Sequence, residues 1–374
     1  MKKALLQACA LCVGATGAYA GGLDRSGQGI NLIFEEGSVV QFRLGYTNPD
    51  VSGTLGGVDS GNVANSFFTP HLGYKRALTD QLDFAIMYDQ PFGADVEYGA
   101  NYPLSVNPTS PVGGRSGVLE ASARTDAITA LLRYKINNGF SAIGGLRVQR
   151  LTGDVTVPAA AGYQTDIDAD IDYGYVIGVA WEKPEIAARV SLTYNSKVTH
   201  SISQTESANQ VPPIPAGLVV VDTDTEVVTP QSVNLDFQTG VAPKTLLFGS
   251  VRWVDWPQSV YAPPLYVGIT NDNLLDYDDD TFTYSLGLGY QFTEEFAGAI
   301  TVGYETSTGS TVSDLGPTDG FWSVGLGGTY SIEKAQISGG VQYTDIGDAT
   351  TNQGAQFSGN SAWSVGFQVT YALD

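Results

Sequence analysis

The chain has 374 residues, a net charge of −21 and only 15% charged side chains, set against 45 glycines, 20 tyrosines and 15 phenylalanines. So acidic a chain lacks the basic face that phosphate contacts need, which excludes a general nucleic-acid binder. No stretch after the N-terminal segment approaches eighteen consecutive apolar residues, so no transmembrane helix is expected, and the glycine and aromatic content suits a β-protein with aromatic girdles.

Residues 1–20 have the form of a cleaved signal peptide. Lys2 and Lys3 supply the basic start, Ala4 to Gly17 the apolar-to-small stretch, and Ala18-Tyr19-Ala20 a small-x-small cleavage site. Both cysteines, Cys9 and Cys12, fall inside this segment, and Leu6-Gln7-Ala8-Cys9 comes too early for a lipoprotein site. The mature chain then holds 16 basic and 39 acidic residues, a net charge of −23, and has neither a disulfide framework nor a thiol metal site.

From residue 38 onward the pattern alternates. Val40, Phe42, Leu44 and Tyr46 open it, followed by Leu82-Phe84-Ile86-Tyr88, Ile128 to Tyr134 and Tyr173 to Trp181. Phe282-Tyr284-Leu286-Leu288-Tyr290-Phe292, with small or polar residues between them, is the clearest row, and Trp363-Val365-Phe367-Val369-Tyr371 repeats it at the end. Strict alternation marks a strand with two unlike faces. In lipid every backbone group must be paired, so such strands survive only in a closed barrel that is apolar outside and polar within. Fourteen strands are expected, starting near Ser38, Ser66, Gln81, Thr125, Phe140, Ile171, Ile186, Gln231, Thr245, Thr281, Phe296, Phe321, Ala335 and Ser361. Tight turns such as Asn137-Asn138-Gly139 and Glu333-Lys334 alternate with long loops, notably Pro91 to Arg124, Asn195 to Pro230 and Pro257 to Asp280. That alternation fits short periplasmic turns and long external loops in the bacterial outer membrane. A soluble sandwich has no reason for it.

No catalytic constellation is expected. Of the two histidines, His71 falls on the inward face of the second strand and His200 at the outer end of the seventh or in its loop, and no local motif marks either as half of a nucleophile–base pair. Two acidic clusters, Asp166 to Asp172 and Asp272 to Asp280, lie on the external side; spaced carboxylates suit calcium, but neither matches the EF-hand loop and solvated loop acids are the commoner reading, so calcium binding stays open and no metal or other cofactor is assigned. More informative is apolar content in external loops. Val211 to Val221, with Leu218 and Val219, and Val260 to Val267, with Leu265, offer a capture surface for a hydrophobic molecule, with loop-on-loop packing as the other reading of the same residues. At the end of the third strand, Pro91 cannot donate to a ladder and Gly93 lacks a side chain, so pairing should loosen there.

Several stretches in order resemble the FadL-type family of outer-membrane transporters of long-chain fatty acids and hydrocarbons. They are Gln90-Pro91-Phe92-Gly93, Thr229-Pro230-Gln231-Ser232-Val233, Arg252-Trp253-Val254-Asp255-Trp256, Tyr284 to Phe292 and Gly303-Tyr304-Glu305. The resemblance implies an all-β, monomeric transmembrane antiparallel barrel plugged by an N-terminal hatch, with hydrophobic capture outside and sideways release through a kinked third strand. It divides the chain into a leader (1–20), a hatch (21–37) and a barrel (38–374). It also places Leu23, Ile30, Leu32, Phe34, Pro91, Phe92 and Gly93 on the ligand path. Family members usually carry a longer hatch with an Asn-Pro-Ala motif; here Phe34-Glu35-Glu36-Gly37 stands where it would be sought, and the chain ends in Ala372-Leu373-Asp374 beyond the last aromatic. The expected function is passive uptake of long-chain fatty acids or similar hydrophobic molecules, in contact with outer-membrane lipid and lipopolysaccharide. A structural or adhesive surface barrel and a general diffusion porin are the alternatives.

Overall fold

A computed structural model describes residues 23–108, 117–209 and 217–373. The expected leader and Val211 to Ala216 of the apolar loop lie outside the described residues.

The alternating rows become the wall of one closed barrel of fourteen antiparallel strands. In order these are β1 (Val39–Asp50), β2 (Phe67–Ala77), β3 in two pieces (Leu82–Asp89 and Gly93–Glu97), β4 (Glu120–Lys135), β5 (Phe140–Val157) and β6 (Tyr163–Lys183). There follow β7 in two pieces (Ala188–Asn195 and Val198–Asn209), β8 in two pieces (Leu218–Thr229 and Ser232–Ala242), β9 (Thr245–Val254) and β10 (Thr281–Gln291). The last are β11 (Phe296–Glu305), β12 (Phe321–Ile332), β13 (Ala335–Ile346) and β14 (Asn360–Ala372). Each strand pairs with its neighbours, and β14 closes on β1 from Val39↔Ala372 to Asp50↔Ser361. Closure satisfies the edge groups that a membrane could not.

The two faces sort as the alternation demands. On β10, Phe282, Tyr284, Leu286, Leu288 and Tyr290 are exposed on the outside, while Thr281, Thr283, Gly287 and Gln291 turn inward. His71 is buried on the inward face of β2, between the exposed Phe68 and Leu72. The tight turns sit where residues accept a left-handed backbone, as at Asn138 (φ 63°) and Gly139 (φ 84°).

Two expected boundaries move. β6 begins at Tyr163 rather than Ile171, and most of the expected loop from Asn195 to Pro230 is strand, because β7 and β8 run on as a hairpin paired from Val198↔Thr229 to Asn209↔Leu218. Leu218 and Val219 are therefore strand residues. The physical reason is that this hairpin stands above the bilayer, where the exposed row runs Leu218, Val220, Asp222, Asp224 and Glu226 and mixes apolar with acidic residues. The segment from Pro91 to Arg124 is likewise shorter as a loop, since Gly93–Glu97 and the residues from Glu120 are strand.

The hatch crosses the lumen. Its second half, a short 3-10 turn at Asn31–Phe34, buries Ile30, Leu32, Ile33 and Phe34 against Ala85 and Met87 of β3, Leu131 of β4, Ile143 of β5 and Val176 and Ala180 of β6. Gly73 of β2 makes room for Leu32, whose methyl lies 2.3 Å from where a Cβ would stand.

Candidate functional site

The hatch and the third strand meet at one place. β3 is interrupted at Gln90-Pro91-Phe92, and the N-terminal half of the hatch takes up the freed backbone groups: Gly93 N–H donates to Leu23 O and Arg25 N–H to Pro91 O, each at 2.8 Å. On the other side Thr125 of β4 holds the kink, its N–H donating to Phe92 O at 3.0 Å and its hydroxyl accepting from Phe92 N–H at 2.8 Å. Proline without a donor and glycine without a side chain are the residues this geometry needs. A Cβ on Gly93 would stand 2.9 Å from Arg25 Nε and 3.0 Å from Ala123 O.

The kink leaves a gap in the wall. β2 pairs with β3 only from Leu72↔Tyr88 to Ala77↔Asp83, whereas its outer part, Phe67 to His71, pairs with β1 alone. Contact with β3 resumes further out, at the bridge Ala64↔Val96. Arg25 lies in this opening, with its guanidinium 3.8 Å above the Phe67 ring and its Nε donating to Gly93 O at 2.8 Å.

Behind the gap lies an apolar chamber of about 100 Å³, walled by Leu23, Phe92, Leu151, Val155, Ile167, Val227 and Trp256. Phe92 is buried and meets Trp256 edge-on at 5.8 Å, in a cluster with Val254, Leu23 and Tyr277. A narrower cleft of about 70 Å³ runs beside Arg25, Asn65 and Phe67, and Ala94 and Leu315 line both spaces. Chamber and cleft are thus neighbours, with Ala94 and Leu315 between them, and the cleft borders the wall gap. The lumen on the other side of the hatch is mixed, with charged and aromatic side chains together. There a cavity of about 220 Å³ is lined by Arg43, Arg189, Asp236 and Arg252 together with Phe237, Phe248 and Phe321.

The hatch is tethered to that wall through Arg252 of β9. Its Nε donates to Asp24 at 2.6 Å, Nη1 to Ser232 and Asn234 at 3.0 and 2.8 Å, and Nη2 to Gln28 at 3.2 Å. Asn234 in turn donates to Gly27 O at 2.9 Å. An ion pair this buried positions a segment more than it stabilises it, but losing one partner is costly.

Of the residues marked in the sequence, the structure brings Leu23, Phe92 and Gly93 together at the chamber, with Pro91 buried beside them. Ile30, Leu32 and Phe34 do not line it; they form the plug core lower in the barrel. Leu218 is exposed and Val219 half-buried on the outer hairpin, and Leu265 is half-buried on helix α1 (Pro264–Thr270) against the external core. Its N–H donates to the buried Glu206 carboxylate. Of the second apolar loop, Val260 and Tyr261 do reach the chamber. Arg25, Ala94, Arg252 and Trp256 were not marked as site residues; only the Arg-Trp-Val-Asp-Trp run carried a signal for the last two.

The sequence profile of the family described as Outer membrane protein transport protein (OMPP1/FadL/TodX) matches residues 36–373. The chain belongs to that family. Among solved structures, a FadL homologue of Pseudomonas aeruginosa superposes with a TM-score of 0.73 at 14% identity, covering 97% of this chain and 98% of its own. The toluene transporter TodX of Pseudomonas putida gives 0.66 at 14% identity, covering 95% and 97%. The toluene transporter TbuX of Ralstonia pickettii gives 0.63 at 12%, covering 91% and 90%. At these identities the likeness speaks for the fold. No curated protein matches the chain in sequence. Family and barrel together make this an outer-membrane transport protein.

Proposed function

We propose that the barrel is a passive, monomeric channel through which long-chain fatty acids or similar hydrophobic molecules pass from the external loops into the chamber, and then sideways through the β2–β3 gap into the membrane. The observation that carries this reading is that chamber and cleft lie side by side at the gap, with Ala94 and Leu315 bordering both. An apolar molecule gains about 25 cal/mol for each Å² it removes from water, so it favours the chamber and then the bilayer over the arginine-lined cavity on the other side of the hatch. No energy coupling is needed, because the ligand moves between apolar surroundings. The last aromatic-bearing strands and their exposed outer rows suit contact with lipid and lipopolysaccharide.

A second reading concerns ligand size. A cavity of about 150 Å³ holds one benzene, and this chamber is about 100 Å³. The chamber is therefore smaller than a benzene-sized cavity, which favours the leading end of a chain threading through, or a compact ligand that widens it, over a long chain lodged whole.

Ala94, which borders both chamber and cleft, supplies the test. Ala94→Phe should block the passage and lower uptake of labelled oleate and toluene at least tenfold, while Ala94→Ser leaves it unchanged. Pro91→Val with Gly93→Thr should act in the same direction by extending the pairing of β3. Full uptake in these variants, with loss only when Leu23 to Asn31 is deleted, would mean that the ligand leaves through the lumen.

A further inference from the structure

A second group of side chains, on β6 and β7 three to four strands round the barrel from the kink, is built for something other than hydrocarbon. β6 carries a bulge: Leu151↔Asp170 and Gly153↔Ile167 are successive pairs with β5, so Asp168 and Ala169 face a single partner position. On its other edge the ladder with β7 stops after Val176↔Asn195 and resumes only at Ile167↔Gln204. Bulges of this kind re-aim side chains. Into this open stretch point Asp170, Asp172 and His200, whose nearest ligand atoms all lie within 4.8 Å of one another. Ile171 and Tyr173 between and beside them are exposed on the lipid side, so the two carboxylates face inward.

Two carboxylates brought so close repel unless a shared proton or a cation lies between them, and Asp170 and Asp172 are within hydrogen-bond reach of one another. Among the described residues no lysine or arginine forms an ion pair with either; Asp172 accepts from the Ser201 N–H, and His200, 0% exposed, has Nδ1 at 3.0 Å from Asp170 Oδ2. The other ring nitrogen is backed by Gln149, whose Nε2 lies 3.2 Å from His200 Nε2 and 2.8 Å from Thr229 Oγ1. Gln149 is 1% exposed, and its Oε1 has no partner. Which end of an amide is oxygen is an assignment rather than an observation. Turned over, Oε1 accepts from His200 Nε2–H and the Thr229 hydroxyl, and Nδ1 presents a bare lone pair to the two carboxylates. That is how a metal-bound histidine is held: its remote N–H donates to an oxygen and its near nitrogen is free to ligate.

We propose that Asp170, Asp172 and His200 bind one divalent transition-metal ion, zinc being the probe that fits them best, and that it joins β6 to β7 where their backbones do not pair. Two carboxylate oxygens and one imidazole nitrogen suit zinc or manganese, whereas calcium seeks six to eight oxygens. Ligands of a tetrahedral zinc at about 2.0–2.1 Å lie about 3.3 Å apart, close to the His200–Asp170 spacing already present. The joined wall is the chamber's own, since Ile167 of β6 and Thr229 of β8 line it. The site would stiffen that wall without touching ligand.

The test uses the full barrel, stripped with EDTA and titrated in detergent with zinc alone by calorimetry. One zinc per chain should bind. His200→Gln and Asp172→Asn should each weaken it beyond the roughly 10–100-fold that a supporting residue costs; Asp276→Asn, in a solvated loop, should not. Retained heat-modifiable mobility on gels shows which variants are folded. Zinc should also slow amide exchange at Lys197 to Ser203 in the wild type and not in His200→Gln. Absence of a one-to-one event, equal affinity in folded His200→Gln, or calcium competing as an equal would each overturn the assignment.

Discussion

Replacing Arg252 with Met tests whether the short hatch is held by one side chain. The substitution keeps most of the bulk but removes the donors to Asp24, Gln28, Ser232 and Asn234. Asp24 has a side chain only 4% exposed and is then left without its cation. Removing one partner of a buried pair costs about 3–5 kcal/mol, a factor of roughly 10² to 10⁴ in the open population. The loss should be local. The second half of the hatch keeps Ile30, Leu32, Ile33 and Phe34 buried, each contributing on the order of 1.5–3 kcal/mol, and the barrel keeps its strand pairing. Hydrogen exchange reads this directly, because the Arg25 and Gly93 amides bond across the hatch–β3 junction and the Ile33 and Glu35 amides bond within the plug turn. Exchange at Arg25 and Gly93 should accelerate at least a hundredfold in Arg252→Met and hardly change at Ile33 and Glu35. Adding Asp24→Asn should recover much of the protection by removing the stranded charge. Unchanged exchange at Arg25, or equal acceleration in both halves, would refute the tether.

Other outcomes follow from the external side. Exchanging Leu218, Val219 and Leu265 together for Ser should lower uptake of a labelled long-chain fatty acid about tenfold at low concentration, since one covered apolar side chain alone contributes on the order of 1.5–3 kcal/mol; unchanged uptake at normal surface abundance would assign them to loop packing. Burial pushes the Asp314 carboxyl from its ordinary 3.8 up to about 6, with the Thr351 hydrogen bond and one from its own backbone drawing it back. A raised carboxyl favours the folded loop while protonated, so that contribution is present in full below 3.8 and is lost as pH rises through about 6. The difference is at most about 3 kcal/mol at 1.36 kcal/mol per unit. Limited proteolysis of the β11–β12 loop should therefore be faster at pH 8 than at pH 5, and Asp314→Asn should abolish the difference; an equal pH effect in the variant would place the titrating group elsewhere.

How far the sequence could be read depended on what each stretch faces. Where one side meets lipid and the other the lumen, solvent contrast imposes a period of two, and rows such as Phe282 to Phe292 were legible to within a residue or two of the observed strand. The hairpin of β7 and β8 loses that contrast above the bilayer. Val219 and Asp222 then alternate against nothing apolar, and a strand looks like a loop. The gap beside β3 was legible only from one edge. Pro91 and Gly93 announce a weak point, but Phe67 to His71 read as an ordinary strand, because a missing partner is a property of two segments and leaves no mark in one. The hatch was misjudged in a related way. Its apolar residues Ile30, Leu32 and Phe34 look like a greasy path and pack instead into a core of their own, while Arg25 and Ala94, which line the cleft, carry no periodic signal. A guanidinium in a chain of so few cations is informative only once Phe67 is beneath it and Gly93 beside it. Spatial pairing, rather than residue type, decides where this barrel opens.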